Sequence, residues 1–335
     1  ISIVCETMGG NEPAYTFSKR ALEAGKSVCT SNKELVANHG AELLRLAREN
    51  RCNYFFEASV GGGIPIIRPI NDCLTAERIV EVSGILNGTT NYILTKMEQE
   101  GMLFEEALGQ AQALGYAERN PEADVEGYDA CRKIAILTSL VAGKTVDFHK
   151  IHTEGISGID PTDFAYAKKL DATIKLLAVS RETEDGYQIS VAPYLLKKEN
   201  ALAGVNDVFN AVAVCGNTLG DTMFYGRGAG KLPTASAVVA DVVECARHLQ
   251  KTVGCLWEEG EAKVADFDSQ EGRFFVRVLK KARADVEKVF GAVVPVVLDS
   301  ALEEFAFVTE SMQEAEFEKC REQISGFVKK IRIKD

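Results

Sequence analysis

Between Gly115 and Lys133 the chain reads GYAERNPEADVEGYDACRK, which carries the carboxylates Glu118, Glu122, Asp124, Glu126 and Asp129, then Arg132 and Lys133. Pro121 and Gly127 break the stretch into loop, and helical patterning resumes only after Gly127. Asp129 and Lys133 are four residues apart, so on a helix they share a face within side-chain reach. The next segment, IAILTSLVAG, is almost wholly apolar, as expected of a helix buried in a core. A lysine at the mouth of a buried helix, facing acids delivered by a loop, is either a structural ion pair or a catalytic group. Both arrangements perturb side-chain proton affinity, so the pattern alone leaves the choice open.

The elements that would position this stretch can be read from periodicity. A strand over 1–6 is followed by a turn at Gly9-Gly10 and a helix over 12–24 closed by Gly25. A second strand covers 26–30, Ser31-Asn32 offers an N-cap for a helix to about residue 50, and NYFFEA (53–58) reads as a third strand. Strand and helix in alternation with short links predict a parallel, helix-covered sheet, the second half of a doubly wound nucleotide-binding domain. The GxGxxG turn that holds a pyrophosphate in such domains is absent from this sequence. Gly61-Gly62-Gly63 and GRGAG (226–230) lack the strand–turn–helix context and the distant acid of that fingerprint and, taken alone, read as plain glycine-rich turns. RIVEVSGI (78–85) is a strand running into LNGTTNYILTKM, a helix starting near Thr90. Backbone N–H groups at Gly88–Thr90 would hold a carboxylate, or form an ordinary capped helix start.

Further along, Asp185-Gly186 predicts a two-residue hairpin, and Pro233 opens a long helix over 236–249. Residues 250–270 are charged, poorly patterned and read as a linker. The tail predicts strands at 273–279, 293–298, 304–309 and 327–333 with helices at 282–290 and 314–325. That βαββαβ order makes a small separate α+β module.

Length and composition bound the possibilities. At 335 residues, two or three domains are expected. A net charge of -11 excludes the basic face a nucleic-acid partner would want. No apolar run approaches the roughly 18 residues needed to span a bilayer. The nine cysteines form no CxxC pair and read as reduced residues of a cytoplasmic protein, not a zinc or disulfide framework. The four histidines have no metal spacing. ISIVCET opens as a buried strand with no starting Met, so the sequence is expected to begin inside a domain.

Taken together, SNKELVA (31–37), FEASVGGGIPII (56–67), GILNGTTNYIL (84–94), GYAExxPxxDxxGxDxxxK (115–133) and GRGAGxxPTASAVxxD (226–241) resemble homoserine dehydrogenase in order and spacing. The likeness covers about residues 1 to 250. It implies interconversion of L-homoserine and L-aspartate 4-semialdehyde with NADP or NAD. It also implies an α/β architecture: a partial Rossmann-like domain (1–64, with 226–250 returning to it), an α+β substrate and dimerisation domain (65–225), a linker (251–270) and a C-terminal domain (271–335). The last is similar to an ACT domain, which implies threonine as a ligand, and the family implies a homodimer or homotetramer.

By position, the resemblance places Lys133 at the reacting hydroxyl beside Asp129, with Lys33 also at the cleft near the nicotinamide. Glu118 would reach the substrate amine, Asp124 lines the pocket, Gly88 and Thr89 form the turn meeting substrate, and Tyr116 gives a backbone contact. Ser31, Asn32, Lys33, Gly228 and Gly230 would meet the cofactor. A Na+ or K+ ion would take backbone carbonyls of Glu57, Val60, Gly62 and Ile64. Glu122 and Glu126 are expected in solvent.

The chemistry fits that assignment. Homoserine is a zwitterion, so its ammonium wants carboxylates and its carboxylate wants N–H donors or cations. Oxidising its alcohol needs a base, and a lysine serves only when deprotonated. Nearby carboxylates favour the ammonium form, so Asp124 and Asp129 would orient Lys133 rather than activate it. Lys133 and Lys33 acting as a proton donor–acceptor pair is the other arrangement. A second reading of the whole chain is an incomplete fragment acting as an amino-acid-binding or oligomerisation module.

Overall fold

The computed structural model describes residues 1–255, 257–299 and 303–334. The N-terminal alternation forms β1 (Ile3–Glu6), α1 (Ala14–Glu23), β2 (Ser27–Thr30), α2 (Lys33–Glu49) and β3 (Tyr54–Phe55). The strands make a parallel sheet in the order β1-β2-β3, with Cys5 opposite Cys29 and Val28 opposite Tyr54. β2 is buried along its whole length because it has a strand on each side. The third strand is shorter than the sequence suggests. After Phe55 the chain winds into a one-turn 3-10 segment, Glu57–Ser59, because the Glu57 carboxylate turns inward to take the amides of Ile66, Ile67 and Arg68.

The middle of the chain builds β4 (Ile79–Ile85), α3 (Gly88–Glu100), α4 (Phe104–Ala113), α5 (Glu122–Val125), α6 (Tyr128–Ala142), β5 (Lys144–Thr145), β6 (His152–Thr153), α7 (Pro161–Lys169), β7 (Ala172–Thr183), β8 (Gly186–Lys197), β9 (Phe209–Gly216) and β10 (Gly220–Arg227). α8 (Lys231–Arg247) then returns to the first sheet, where Cys245 Sγ lies 3.5 Å from Cys29 Sγ. The β7–β8 hairpin turns through Glu184 and Asp185, one residue earlier than expected, with Thr183 opposite Gly186. Gly186 sits at φ +120°, and a side chain there would strike the Lys263 carbonyl.

The remainder comprises β11 (Glu258–Glu261), β12 (Glu271–Gly272), β13 (Phe274–Leu279), α9 (Arg283–Phe290), β14 (Glu304–Val308), β15 (Met312–Gln313), α10 (Glu314–Arg321) and β16 (Phe327–Lys334). Three expectations fail here. The stretch 250–270 is no free linker. Trp257 is fully buried, donates to Thr145 Oγ1 at 3.1 Å, and lies so close to Gly40 that a Cβ there would meet its ring at 2.7 Å. β11 also pairs in parallel with β5.

The expected strand at 293–298 reduces to a single antiparallel bridge between Val296 and Ala306. Nor is the tail a separate module. β16 pairs in parallel with β8, Arg332 opposite Tyr194, so one sheet runs β10-β9-β4-β7-β8-β16-β13-β14. Only the outer face of the tail keeps a core of its own, around Phe274, Phe307 and Phe317.

Charged side chains line the seam between tail and middle. Arg277 donates to Asp163 at 2.5 Å, to Asp160 at 2.8 Å and to Glu304 at 2.9 Å. Lys329 meets the same Asp160 and Asp163, while Arg332 joins Glu154 to Glu314. This pairing offsets the cost of taking these charges out of water.

Candidate active site

The acidic stretch folds as the pattern requires, with one change: its loop contains the single turn α5, entered through Pro121. Gly127, at φ +82°, then sets the start of α6. Asp129 in the first turn and Lys133 one turn later are both buried. Lys133 Nζ donates to Asp129 Oδ2 at 2.7 Å and to the Leu86 carbonyl at 2.7 Å. Lys33, the first residue of α2, comes from the nucleotide-binding sheet and places Nζ 2.5 Å from Asp129 Oδ1. One carboxylate therefore holds two ammoniums delivered by two parts of the fold.

Asn87 completes the cluster, and sequence reasoning missed it. Its Nδ2 donates to Asp124 Oδ1 at 2.8 Å and to Asp129 Oδ2 at 2.9 Å. Its Oδ1 caps α3 by accepting from Thr90 N–H at 2.9 Å. An Asn directly before a Gly-Thr-Thr helix start was the available signal. The same bond takes Thr90 N–H, leaving those of Gly88 and Thr89, within the two or three expected to hold a carboxylate, at the helix end. Burial alone would raise the Asp129 pKa, but Lys133 and Lys33 outweigh it and hold the carboxyl well below its usual range. Burial raises Asp124 above the ordinary value; the Asn87 hydrogen bond opposes this and the Asp129 charge adds to it.

Around this cluster, Gly88 allows close approach, since a Cβ would lie 2.8 Å from the Val208 carbonyl. Thr89 Oγ1 donates to the Tyr116 carbonyl at 2.6 Å, bringing these two segments together. Glu118 is exposed; its backbone carbonyl accepts from Gln112, and its carboxylate has no partner among the described residues. Glu122 is exposed, whereas Glu126 is half-buried against Gly155 and not in free solvent.

The loops beyond the carboxyl ends of β1 and β2 are where an open α/β sheet binds its ligand. Glu6 accepts from Met8 N–H and from Thr30 Oγ1, Thr30 Oγ1 accepts from Asn32 N–H, and Asn32 Nδ2 donates to the Gly10 carbonyl at 2.6 Å. Asn32 Oδ1 caps α2 through Leu35 N–H at 3.1 Å. The Asn32 side chain is thus spent on holding the loops, leaving Ser31, Lys33 and backbone to face a cofactor. Gly228 and Gly230 lie in a loop seated on the Gly61–Gly63 turn: Gly63 N–H donates to the Arg227 carbonyl at 3.3 Å, and a Cβ on Gly62 would strike the Gly228 carbonyl.

Glu57, Val60, Gly62 and Ile64 are all buried, and among the described residues none of their carbonyls accepts from a turn or loop amide. Asp241, the last residue of the GRGAGxxPTASAVxxD motif, accepts from Glu57 N–H at 3.0 Å and is pushed up to about 7 by burial. Neither Glu57 nor Asp241 was assigned this bracing role from sequence. Among the described residues no group of three or more His, Cys, Asp or Glu side chains could hold a metal.

A parallel sheet presenting its carboxyl-end loops to a buried lysine–aspartate cluster has the form a nicotinamide-dinucleotide-dependent oxidoreductase needs. Residues 1–57 match the family model "Homoserine dehydrogenase, NAD binding domain", and residues 65–243 match "Homoserine dehydrogenase". The chain belongs to the homoserine dehydrogenase family.

It is 39% identical over 335 residues to the homoserine dehydrogenase of Bacillus subtilis, covering 95% of this chain and 77% of that one. The Synechocystis enzyme is 40% identical, with 97% and 80% covered. The Pseudomonas aeruginosa enzyme is 47% identical over 249 residues, 74% of this chain and 57% of that protein. A homoserine dehydrogenase structure from Thiobacillus denitrificans superposes with a TM-score of 0.92 at 34% identity, over 100% of this chain and 82% of the other. A hyperthermophilic archaeal homoserine dehydrogenase solved with NADPH gives 0.65 at 33% identity, over 73% and 72%. These relatives do not favour the non-catalytic module. Among the described residues no helix is long and apolar enough to cross a membrane.

Proposed function

We propose that the chain interconverts L-homoserine and L-aspartate 4-semialdehyde, with Lys133 as the proton-transferring group. The observation that carries this is the Lys33–Asp129–Lys133 cluster, in which one buried carboxylate fixes two ammoniums at the mouth of the cofactor-binding loops. When bound, NADP or NAD supplies the hydride acceptor. In the oxidation direction the Lys133 ammonium first gives up a proton toward solvent by way of Lys33; the substrate hydroxyl then gives its proton to the freed Lys133 amine as hydride leaves the carbon bearing that oxygen, so a carbonyl forms as the O–H and C–H bonds break. In reduction the Lys133 ammonium returns the proton. Asp129 stays ionised and sets where both lysines point. Lys33, whose side chain is 42% exposed, passes the proton onward to solvent.

Glu118 and Asp124 receive the substrate ammonium, and the amides of Gly88 and Thr89 at the start of α3 receive its carboxylate. Tyr116 positions Thr89 through its carbonyl. The cofactor is met by Ser31, the Asn32 backbone, Lys33, Gly228 and Gly230. Lys133→Ala tests the reading. Turnover should be abolished while circular dichroism remains that of the folded parent. A folded variant with near-normal turnover refutes it.

Three finer readings go with it. A Na+ or K+ ion sits among the Glu57, Val60, Gly62 and Ile64 carbonyls, whose freedom from loop amides supports it. The tail is ACT-like and takes threonine; its order β16-β13-β14, with Val296 bridged on the far side of β14, supports a split βαβ arrangement. The enzyme is a cytoplasmic homodimer or homotetramer. Activity titrated with each cation, equilibrium dialysis with threonine, sedimentation and cell fractionation decide these in turn.

A further inference from the structure

Asn210, in β9, is fully buried, and neither its Nδ2 nor its Oδ1 has a hydrogen-bond partner among the described residues. A buried amide left unmet costs stability, so a fold that keeps one has either a packing reason or a use for it in another state. Its surroundings separate the two. In the sheet Asn210 lies opposite Gly226, near the end of β10 where the chain enters the Gly228–Gly230 loop. The Gly228 backbone lies against the amide so closely that any Cβ at 228 would collide with it. On the other side Oδ1 is 3.4 Å from where a Gly88 Cβ would be, at the helix end whose amides face substrate. The start of β9 is itself fixed to α3, because Asn91 Nδ2 donates to the carbonyls of Val205, Asp207 and Phe209. Asn210 therefore stands on a braced platform, with unspent donors and acceptors against the backbone of a glycine-rich loop.

We propose that Asn210 is a positioning residue for the dehydrogenase reaction. Its amide takes up hydrogen bonds with the Gly226–Gly230 backbone when that loop settles on the nicotinamide, so the loop is held in register with the substrate end of α3. The inference rests on the dehydrogenase reading above. Packing alone would be served as well by an apolar residue of the same shape.

Asn210→Leu in the intact enzyme distinguishes the two roles. A buried amide without partners loses nothing on replacement by leucine, so the thermal midpoint should be unchanged or higher. Turnover should nevertheless fall roughly tenfold or more. The deficit should lie in kcat and in the KM for the nicotinamide cofactor, with the KM for homoserine within about twofold of the parent. Full turnover overturns the proposal whatever the midpoint, and so does a turnover loss that merely tracks a lost midpoint. Should the leucine variant aggregate, Asn210→Asp keeps shape and acceptors and removes the donor. A similar turnover loss with unchanged circular dichroism supports the role, and parental turnover rejects it. An active Lys133→Ala enzyme would defeat the underlying reading, whereas an inactive Lys133→Ala beside a fully active Asn210→Leu defeats this inference alone.

Discussion

Two clusters in this molecule use the same chemistry, buried basic side chains against carboxylates, with opposite balance. At the seam with the tail, Arg277 meets Asp160, Asp163 and Glu304, and Lys329 meets two of the same acids, so acids outnumber bases. At the α6 mouth the bases outnumber the acid they touch: Lys33 and Lys133 share Asp129, and Lys133 fills its remaining need with the neutral Leu86 carbonyl. Asp124 is kept one step away, across Asn87. A saturated set fixes charge and geometry. An unsaturated one leaves a proton whose position can change when a ligand brings its own charges. The balance of partners, more than burial, separates structure from chemistry here.

The sharpest way to break that contrast is Asp129→Asn. It strands two ammoniums with only neutral acceptors and removes the group that aims Lys133. Turnover should fall by roughly 100-fold or more, the scale of a lost proton-transfer geometry, as read from steady-state rates on folded protein. A loss of only a few-fold would mean that Asp129 is no more than another structural ion pair. Next in size is Arg277→Ala at the seam, which leaves Asp163 buried with one partner fewer. We expect a loss of about 3–5 kcal/mol in denaturant unfolding, with turnover per folded molecule unchanged. If that variant lost turnover while keeping its stability, the two clusters would have exchanged roles.

The two clusters were also unequally legible. Asp129 and Lys133 are four apart on one helix, so their pairing is local and could be read directly. Lys33 could be placed beside them only through the order of motifs resembling a family, because no local rule joins a helix start on one sheet to a helix in another. Asn87 was readable as a cap, but not as the bridge between Asp124 and Asp129, which depends on the angle at which α3 meets α6. The seam was invisible. Arg277 and Asp163 are brought together only because β16 pairs in parallel with β8, a contact across more than a hundred residues that periodicity does not encode. The same pairing is why the tail read as separate. The stretch 250–270 lacks periodicity because its main anchor is one side chain, Trp257, in a slot that Gly40 opens.

Acidification should sharpen the comparison most gently. Burial alone would raise the carboxyls of both Glu154 and Asp160. The His152 and Arg332 partners of Glu154, and the Arg277 and Lys329 partners of Asp160, outweigh it and set both at about 2, below ordinary values of 4.5 and 3.8. A depressed carboxyl contributes stability that is complete above its unfolded value and disappears as pH falls toward its folded one. The thermal midpoint should therefore decline between about pH 4.5 and about 2, and Arg277→Ala should flatten the Asp160 share of that decline. The Glu154 and Asp160 side chains are 37% and 42% exposed, so solvent screening keeps this the smallest of the effects. Asp124 runs the other way. Its carboxyl is raised, so what it contributes is present below its unfolded value and lost as pH rises through its folded one. A variant with Asp124→Asn should keep the seam's acid decline and lose only that opposing slope. If instead the seam slope vanished with Asp124, the two clusters would be one coupled network and the contrast between them would fail.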